Sequence, residues 1–329
     1  MAHLVENMFS VLETPWHGLG RILQSAPTME DAIVAAGLDW GVRLQPLHMV
    51  YDGEDMPVPG YATVRDSDKS VLGVVGPTYR PVQNKDAFKW FQPWLESGRV
   101  ALETAGSLKN GRHVWVLARV LNGGSEAEVR PNDPVKQYIL LSNGHDGSLA
   151  LRNGFCGIRV VCANTMAAAH DDKASKLLKI RHTAGAAEAM LKVREVMDLA
   201  QGEFAANIEQ YRAMARKGVT KDSLREYVRR VFQPKIVEAV AKTQNVDEKD
   251  VEAADTSCDR LLGKIIPLFE GGRGNGKGTV WDAYNAVTEY LSYERGRNQE
   301  GRLDSLWFGD SARINKQAMT EATKLMMVA

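Results

Sequence analysis

The sequence is poor in cysteine and has no long apolar run, and these two shortages exclude several classes of protein. Only three cysteines occur among 329 residues. So small and odd a number suits unpaired thiols in a reducing compartment rather than a disulfide framework. No segment approaches the roughly 18 uninterrupted apolar residues of a membrane helix, and the first residues lack the charged-then-apolar pattern of a signal peptide. The sequence therefore predicts a cytoplasmic protein without a membrane span.

An excess of charge of one sign is also missing. The chain carries 41 basic and 41 acidic residues, so its formal net charge is zero. Nucleic-acid-binding proteins are often basic overall, and the balance counts mildly against that class, although the local distribution of charge matters more than the sum. The length is too great for one small core, so one large domain or two modest domains are expected.

Turn signals and apolar periodicity divide the chain into a strand-rich and a helix-rich part. Strand patterns crowd residues 40–182 and are joined by hairpin signals such as Asn110-Gly111. Helical patterns crowd residues 184–329. This separation predicts an α+β fold, with an antiparallel sheet of β-hairpins and packed helices in the N-terminal half and a helical C-terminal half. We predict a hairpin-rich core domain over 1–183 and a mainly helical region over 184–329 that packs on it or mediates assembly.

Several local predictions follow from the same signals. Residues 85–95 are predicted to form one helix, 52–57 a turn and 121–134 a loop rich in Gly, Glu and Pro. In the central stretch, two apolar runs flank the polar turn 143–147. Separate strands are then expected near 148–152 and 158–162, followed by a short helix and a basic strand that ends at His182.

The segment Gly271–Thr279 is similar to a phosphate-binding loop. Gly271, Gly276 and Lys277 fit the spacing Gly-x4-Gly-Lys-Ser/Thr, but Gly278 occupies the hydroxyl position and Thr279 stands one place late. A nucleotide-dependent enzyme is therefore one hypothesis. The alternative is a loop in which Thr279 caps the following helix while Lys277 and Arg273 are exposed.

No catalytic residue, metal site or cofactor is predicted. The spacings of Cys156, Cys162, His170 and His182 match no structural zinc pattern. The pair His145-Asp146 lies in a hairpin turn, where Asp serves turn geometry, and no second acid–base partner stands out in the sequence.

Basic residues along the central hairpins are more suggestive. Arg152 and Arg159 lie in or beside strands, and Lys179 and Arg181 share one face of an extended run. A cationic track with aromatic platforms such as Tyr79 is typical of single-strand binders, whereas the alternative is a solvated strand face. The predicted nucleic-acid-binding residues are Arg152, Arg159, Lys173, Lys176, Lys179, Arg181, His182, Lys109 and Arg112. A second basic cluster, residues 212–230, is expected to face the acidic stretch 238–259, another subunit or solvent.

Six stretches together resemble the phage/plasmid-like protein family, which is a domain of unknown function. They are Pro15–Gly20, Gly73–Asn84, Ser142–Gly147, Ile158–Met166, Lys179–Thr183 and Gly278–Tyr290. The family's members sit in phages and plasmids, so the resemblance implies a role on mobile DNA in a bacterial host. The plan of hairpins followed by helices is similar to that of single-strand annealing proteins, which form rings or filaments on DNA.

These likenesses imply a non-enzymatic, oligomeric protein that binds single-stranded DNA and anneals complementary strands. Two other hypotheses remain open. One is the nucleotide-dependent enzyme that would use the loop 271–279, and the other is a protein-binding module that blocks a host defence factor.

Overall fold

The computed structural model describes residues 5–12, 20–121, 123–159, 178–186, 197–234, 248–296, 302, 305–306 and 309–327. Contacts divide the chain into two compact units. The first, here called the sheet unit, comprises Met1–Ser125, Gln137–Cys156 and Ser175–Gly202. The second, the helical unit, comprises Glu126–Lys136, Gly157–Ala174 and Glu203–Ala329. The chain thus passes between the units more often than one boundary at residue 183 would allow.

The predicted α+β class is confirmed, with antiparallel sheets in the N-terminal half and helices mostly in the C-terminal half. The strands are β1 (Val5–Val11), β2 (Arg21–Leu23), β3 (Val42–Tyr51), β4 (Glu54–Arg65), β5 (Val71–Val75), β6 (Val100–Leu108), β7 (His113–Val120), β8 (Glu126–Arg130), β9 (Asp133–Gly144), β10 (Leu151–Arg159) and β11 (Leu178–Ile180). The helices are α1 (Met29–Ala35), α2 (Asn84–Lys89), α3 (Gln92–Glu96), α4 (Met197–Arg216), α5 (Lys221–Phe232), α6 (Glu248–Gly271), α7 (Val280–Glu289), a π-helical turn (Tyr290–Glu294) and α8 (Asp310–Met327).

The larger sheet has the strand order β11-β10-β9-β7-β6-β1-β2, and β8 pairs with β9. Alternate residues of each strand point to one face of a sheet. On that face Val114, Val116 and Ile139 join the apolar core together with Phe88 and Phe91 from the segment of α2 and α3. Each such side chain contributes roughly 1.5–3 kcal/mol when it is fully buried. In β10 and β11 the same core takes Leu151 and Ile180, whereas β9 is buried on both faces from Gln137 to Gly144.

The segment 85–95 forms two short helices instead of the one predicted. Helix α2 ends at Lys89, and α3 begins at Gln92 with Pro93 in its first turn. A proline lacks the N–H for a helical bond, and its ring clashes with the carbonyl four residues earlier. For Pro93 that carbonyl belongs to Lys89, so the helix ends there.

Two strands differ from the sequence prediction. The segment 121–134 was expected to be a loop, yet Glu126–Arg130 forms β8 and pairs with the start of β9 across the tight turn Pro131-Asn132. Asn132 adopts a φ of 62°, which Asn tolerates better than most residues. Strand β10 is continuous over Leu151–Arg159 and replaces the two strands predicted there. The short helix predicted after it lies outside the described residues.

The smaller sheet, β3-β4-β5, ends in a protruding hairpin. Asp52 and Gly53 have φ values of 50° and 84°, as a two-residue type I′ turn requires. The predicted turn at 52–57 is thus only two residues long, and Glu54 already begins β4. Strand β5 pairs with β4 only between Tyr61 and Val64, so residues 47–58 form a two-stranded hairpin arm.

The helical unit is built around α7, all ten residues of which are buried. Helices α5 and α6 are joined by ion pairs of Arg225 with Asp259 at 2.7 Å and of Arg229 with Asp255 at 3.4 Å. Two members of the second basic cluster therefore face an acidic helix of the same chain, one of the options predicted for the cluster. Across the described ranges, no helix is both long and apolar enough to cross a bilayer.

Candidate nucleic-acid interface

Three segments that are distant in sequence lie side by side in the sheet unit. The hydroxyl of Tyr79 donates to the carbonyl of Gly144 at 2.8 Å. The backbone N–H of Arg80 donates to the carbonyl of His182 at 2.9 Å. These bonds join the three stretches 73–84, 142–147 and 179–183 that carry much of the family resemblance. Their polar side chains form one buried network behind an exposed surface.

His145 lies at the centre of this network and is fully buried. The amide nitrogen of Asn84 donates to the carbonyls of Leu38 and Trp40, so its oxygen faces Nε2 of His145 at 2.9 Å. Nε2 must therefore carry a hydrogen, and Nδ1 is the bare nitrogen of a neutral imidazole. Burial, with the neighbouring His182, lowers the pKa of His145 to about 3.

His182 is also buried, with only 7% of its surface exposed. Its ring stacks on Tyr79 with 4.9 Å between centroids, and its Nε2 lies 3.2 Å from the carbonyl of Leu149. Burial lowers the pKa of His182, so the ring is neutral near pH 7. A buried, neutral imidazole does not offer a phosphate contact, and this argues against the predicted direct role of His182. Its role is to support Tyr79.

Asp146 has two partners that the sequence did not reveal. Nε2 of His113 lies 2.9 Å from the Ser148 hydroxyl and 3.3 Å from the Asp146 carboxylate, and that hydroxyl also donates to Asp146 at 2.7 Å. Although burial acts to raise it, hydrogen bonds from His113 and Ser148 hold the pKa of Asp146 well below its usual range.

This cluster is not a catalytic triad. In a triad the carboxylate and the serine approach opposite nitrogens of the imidazole, whereas Asp146 and Ser148 here approach the same nitrogen of His113. Among the residues that the structure describes, no group of three or more His, Cys, Asp or Glu side chains is arranged to hold a metal ion. The arrangement supports a rigid turn rather than acid–base chemistry.

Four arginines lie in or next to the segments that form this network, and we call them the arginine rim: Arg80, Arg112, Arg152 and Arg181. Arg80, Arg112 and Arg181 are exposed and Arg152 is partly buried. The carbonyl of Arg112 accepts the N–H of His145 at 2.7 Å, which places it beside the network. In the described part of the chain, none of the four pairs with a carboxylate. In α5, by contrast, Arg225, Arg229 and Arg230 all do so.

The predicted basic residues are only partly brought together. Arg152 lies directly opposite Lys179 in the β10–β11 ladder, while Leu151 and Ile180 are buried on the core side. Arg181 follows β11 directly. Lys109 lies with Arg112 in the β6–β7 turn. Lys173 and Lys176, and the side chains of Arg159 and Lys179, lie outside the described residues.

Arg80 is a rim residue that sequence reasoning missed. Its guanidinium donates to the carbonyls of Pro77 and Tyr79, which holds the head group near the aromatic stack. The available signal was its place between Tyr79 and Pro81 in a stretch that carries the family resemblance. A lone arginine in a Pro-rich loop gives no periodicity to interpret.

The Gly-rich loop lies in the helical unit, between the end of α6 at Gly271 and the start of α7 at Val280. The prediction that Thr279 caps the next helix is confirmed, since Thr279 and Asp282 form a reciprocal capping box. Asp282 also accepts the N–H of Lys277 at 3.2 Å, and Glu289 accepts the N–H of Arg273 at 3.0 Å. The chain's own carboxylates therefore hold amides that a phosphate would need.

A buried charge cluster ties the β8–β9 hairpin to α7 within the helical unit. Arg130 lies 3.2 Å from Asp133 and 2.6 Å from Asp282, and it also donates to the carbonyl of Gly274. The indole nitrogen of Trp281 donates to Asp133 at 2.9 Å. Both carboxylates are almost fully buried, and their charge is balanced by one guanidinium together with hydrogen bonds from the Trp281 indole, from Thr279 and from the Lys277 amide.

The family comparison covers parts of both units. A family model described as Domain of unknown function (DUF932) matches residues 71–307. The chain belongs to the DUF932 family. The predicted resemblance to a family of unknown function is thereby confirmed, while the link of DUF932 with phages, plasmids and annealing proteins stays a prediction. The DUF932 region contains the whole arginine rim and begins after the hairpin arm. No curated protein and no solved structure matches the chain.

Proposed function

We propose that this DUF932 protein binds single-stranded DNA along the arginine rim and supports the annealing of complementary strands, without an enzymatic step. One observation carries the proposal. Four arginines from four different segments lie beside one buried hydrogen-bonded network and lack carboxylate partners among the described residues, whereas the arginines of α5 are paired. Arginines that no carboxylate occupies suit the phosphates of a nucleic-acid backbone.

The mechanism is electrostatic capture of the backbone. Each guanidinium offers several donors in a planar fork that matches phosphate oxygens. Tyr79, held by His182 and by Gly144, supplies an aromatic surface beside Arg80 on which an unpaired base can stack. Contacts to backbone and base faces leave the pairing edges of the bases free, as annealing requires. Several copies on one strand would add their weak contacts, so we retain the predicted homo-oligomer as part of the proposal.

The test compares two variants that remove the same amount of charge. The rim variant combines Arg80→Ala, Arg112→Ala, Arg152→Ala and Arg181→Ala. The control combines Arg216→Ala, Lys221→Ala, Arg260→Ala and Lys264→Ala, four exposed positions of the helical unit. Fluorescence anisotropy with a labelled single-stranded oligonucleotide at low salt is expected to show binding at least about a hundredfold weaker for the rim variant, because the loss of only two charged hydrogen bonds of about 1.5 kcal/mol each already costs about 3 kcal/mol. The control should bind within about threefold of the unmodified chain.

Equal loss in both variants would show that net charge, and not the rim, governs binding, and it would contradict the proposal. The same proteins can be mixed with two complementary oligonucleotides that carry a fluorophore and a quencher. We expect the unmodified chain and the control to speed quenching, while the rim variant leaves the spontaneous rate unchanged.

The loop geometry does not favour the nucleotide-dependent alternative, and one pair of variants checks this. Lys277 is exposed, so Lys277→Ala should change the free energy of unfolding by less than about 0.5 kcal/mol. Thr279→Ala removes the helix cap and should lower the free energy of unfolding by about 1 kcal/mol. Calorimetric titration with ATP and magnesium should give no heat of binding. A titration heat that disappears with Lys277→Ala would restore the enzyme hypothesis.

A further inference from the structure

The hairpin arm, residues 47–58, extends from the sheet unit and has no third strand paired with it in the described part of the chain. Residues 48–57 are all exposed. A two-stranded ribbon gains little stability by itself in water. Even so, Met49 faces Met56 across the arm, and Met49, Val50, Tyr51 and Met56 are 46%, 77%, 63% and 41% exposed. Met49, Tyr51 and Met56 share one face of the arm and Val50 lies on the other, and exposed apolar groups of this kind mark a site of interaction with another molecule.

The charge of the arm narrows the choice of partner. Asp52, Glu54 and Asp55 lie at its tip, and the arm contains no Lys or Arg. His48 is its one basic group, and it lies 3.2 Å from Asp55. The arm is therefore apolar and acidic, and it complements a surface that presents unpaired cations. The arginine rim of the same sheet unit is such a surface.

Prolines indicate how the arm makes contact. Pro46 lies in β3, and Pro57 and Pro59 lie in β4. Each removes a backbone donor, and prolines in exposed strands discourage the addition of a further strand. The partner is thus met by side chains, with carboxylates on guanidinium groups and the apolar residues beside them.

We propose that the hairpin arm of one copy of this chain binds the arginine rim of a second copy. The two surfaces differ, so the contact is head-to-tail and can repeat into a ring or filament. Arm carboxylates then occupy the arginines assigned to phosphate, so single-stranded DNA and the arm compete for the rim. This contact therefore joins copies that are free of DNA, and it is distinct from the side-by-side binding of several copies on one strand. The inference rests on the anion-binding rim of the proposed function, and its own test is made without DNA.

Sedimentation velocity at low and high salt tests this. The unmodified chain should associate at low salt and dissociate at high salt, because the contact is charged. Asp52→Asn with Glu54→Gln and Asp55→Asn should weaken association at least tenfold. A shortened arm, in which Asn-Gly replaces residues 48–57, should abolish it. The new turn then joins Leu47 and Val58, which already face each other. Both lie an even number of positions from Tyr51 and Glu54, the pair that flanks the present turn. The new flanking pair therefore has the same hydrogen-bonding pattern as the old one.

A charge exchange provides the sharpest control. One variant reverses the charge of the arm through Asp52→Lys, Glu54→Lys and Asp55→Lys. The other reverses the charge of the rim through Arg80→Glu, Arg112→Glu and Arg181→Glu. Each variant alone should be monomeric, and their mixture should associate again. A monomeric unmodified chain at low salt, a shortened-arm variant that still associates, or a mixture that stays dissociated would each overturn the inference. DNA binding by the shortened-arm variant, measured by anisotropy, separates failure here from failure of the proposed function.

Discussion

Replacing Arg130 with alanine is expected to lower the free energy of unfolding of the helical unit by about 3–5 kcal/mol, the usual cost of breaking a buried ion pair. The change leaves Asp133 and Asp282, both almost fully buried, without their cation. It also removes the link to the Gly274 carbonyl. Urea titration followed by tryptophan fluorescence would measure this, since Trp281 donates to Asp133 and lies within the affected cluster.

Arg212 supplies the matched control. It also binds the β8–β9 hairpin, through the carbonyl of Glu128 at 2.9 and 3.0 Å, but its ion pair with Glu209 is exposed to solvent. Arg212→Ala should cost no more than about 1 kcal/mol. Adding Asp133→Asn and Asp282→Asn to the Arg130→Ala variant should recover part of the lost free energy of unfolding, because the two substitutions remove the carboxylate charges that have lost their cation. Equal effects of Arg130→Ala and Arg212→Ala would show that the cluster is not a source of stability.

The second large effect is a loss of stability in mild acid that depends on His145. The folded-state pKa of about 3 lies below the ordinary value near 6.5 because of burial and His182. Between those values the unfolded chain binds a proton that the folded chain does not, so stability is present above pH 6.5 and is lost as pH falls toward 3. At about 1.4 kcal/mol per pH unit, the loss from His145 between pH 6.5 and 4.5 is roughly 2–3 kcal/mol.

His145→Gln tests this with little change in shape, because the glutamine amide can still donate to Asn84. The variant should show a much flatter dependence of unfolding free energy on pH in this window. His182, whose pKa is also lowered, will leave a smaller slope of the same sign. Asp146 contributes to the pH dependence of stability only in stronger acid, because its pKa is lowered and the unfolded carboxyl takes up its proton only below about pH 4. His48→Gln, at an exposed position, is the control. An unchanged slope in His145→Gln would refute the assignment.

Local signals predicted the hairpins well, and the misses have physical causes. Asn110-Gly111 predicted the β6–β7 turn correctly because both residues readily adopt positive φ, which is a property of the residue types themselves. Strand β10 was divided in the prediction because glycines interrupt it. Gly157 in fact serves close packing, since a Cβ there would meet Val135 at 3.2 Å. β8 was missed because a short strand in a polar segment is formed mainly by its pairing with β9.

The candidate site was less predictable because its contacts are long-range. Alternation correctly predicted that Ile180 belongs to the core while Arg181, the next residue, does not. The pairing of Arg152 with Lys179 depends on a register set across residues 160–177, and no local signal fixes it. His113 meets Asp146 because β7 pairs with β9, which brings His113 opposite Gly144. Such partners become visible only once the strand order is known.

The salt dependence of DNA binding tests the central claim most directly. Anisotropy titrations over a series of salt concentrations give the slope of log K against log salt, which for single strands is about −0.7 for each phosphate contact. If the arginine rim makes four such contacts, the slope of the rim variant should be less negative than that of the unmodified chain by about 3. The control variant in the helical unit should keep the original slope. Identical slopes for the rim variant and the unmodified chain would contradict the account.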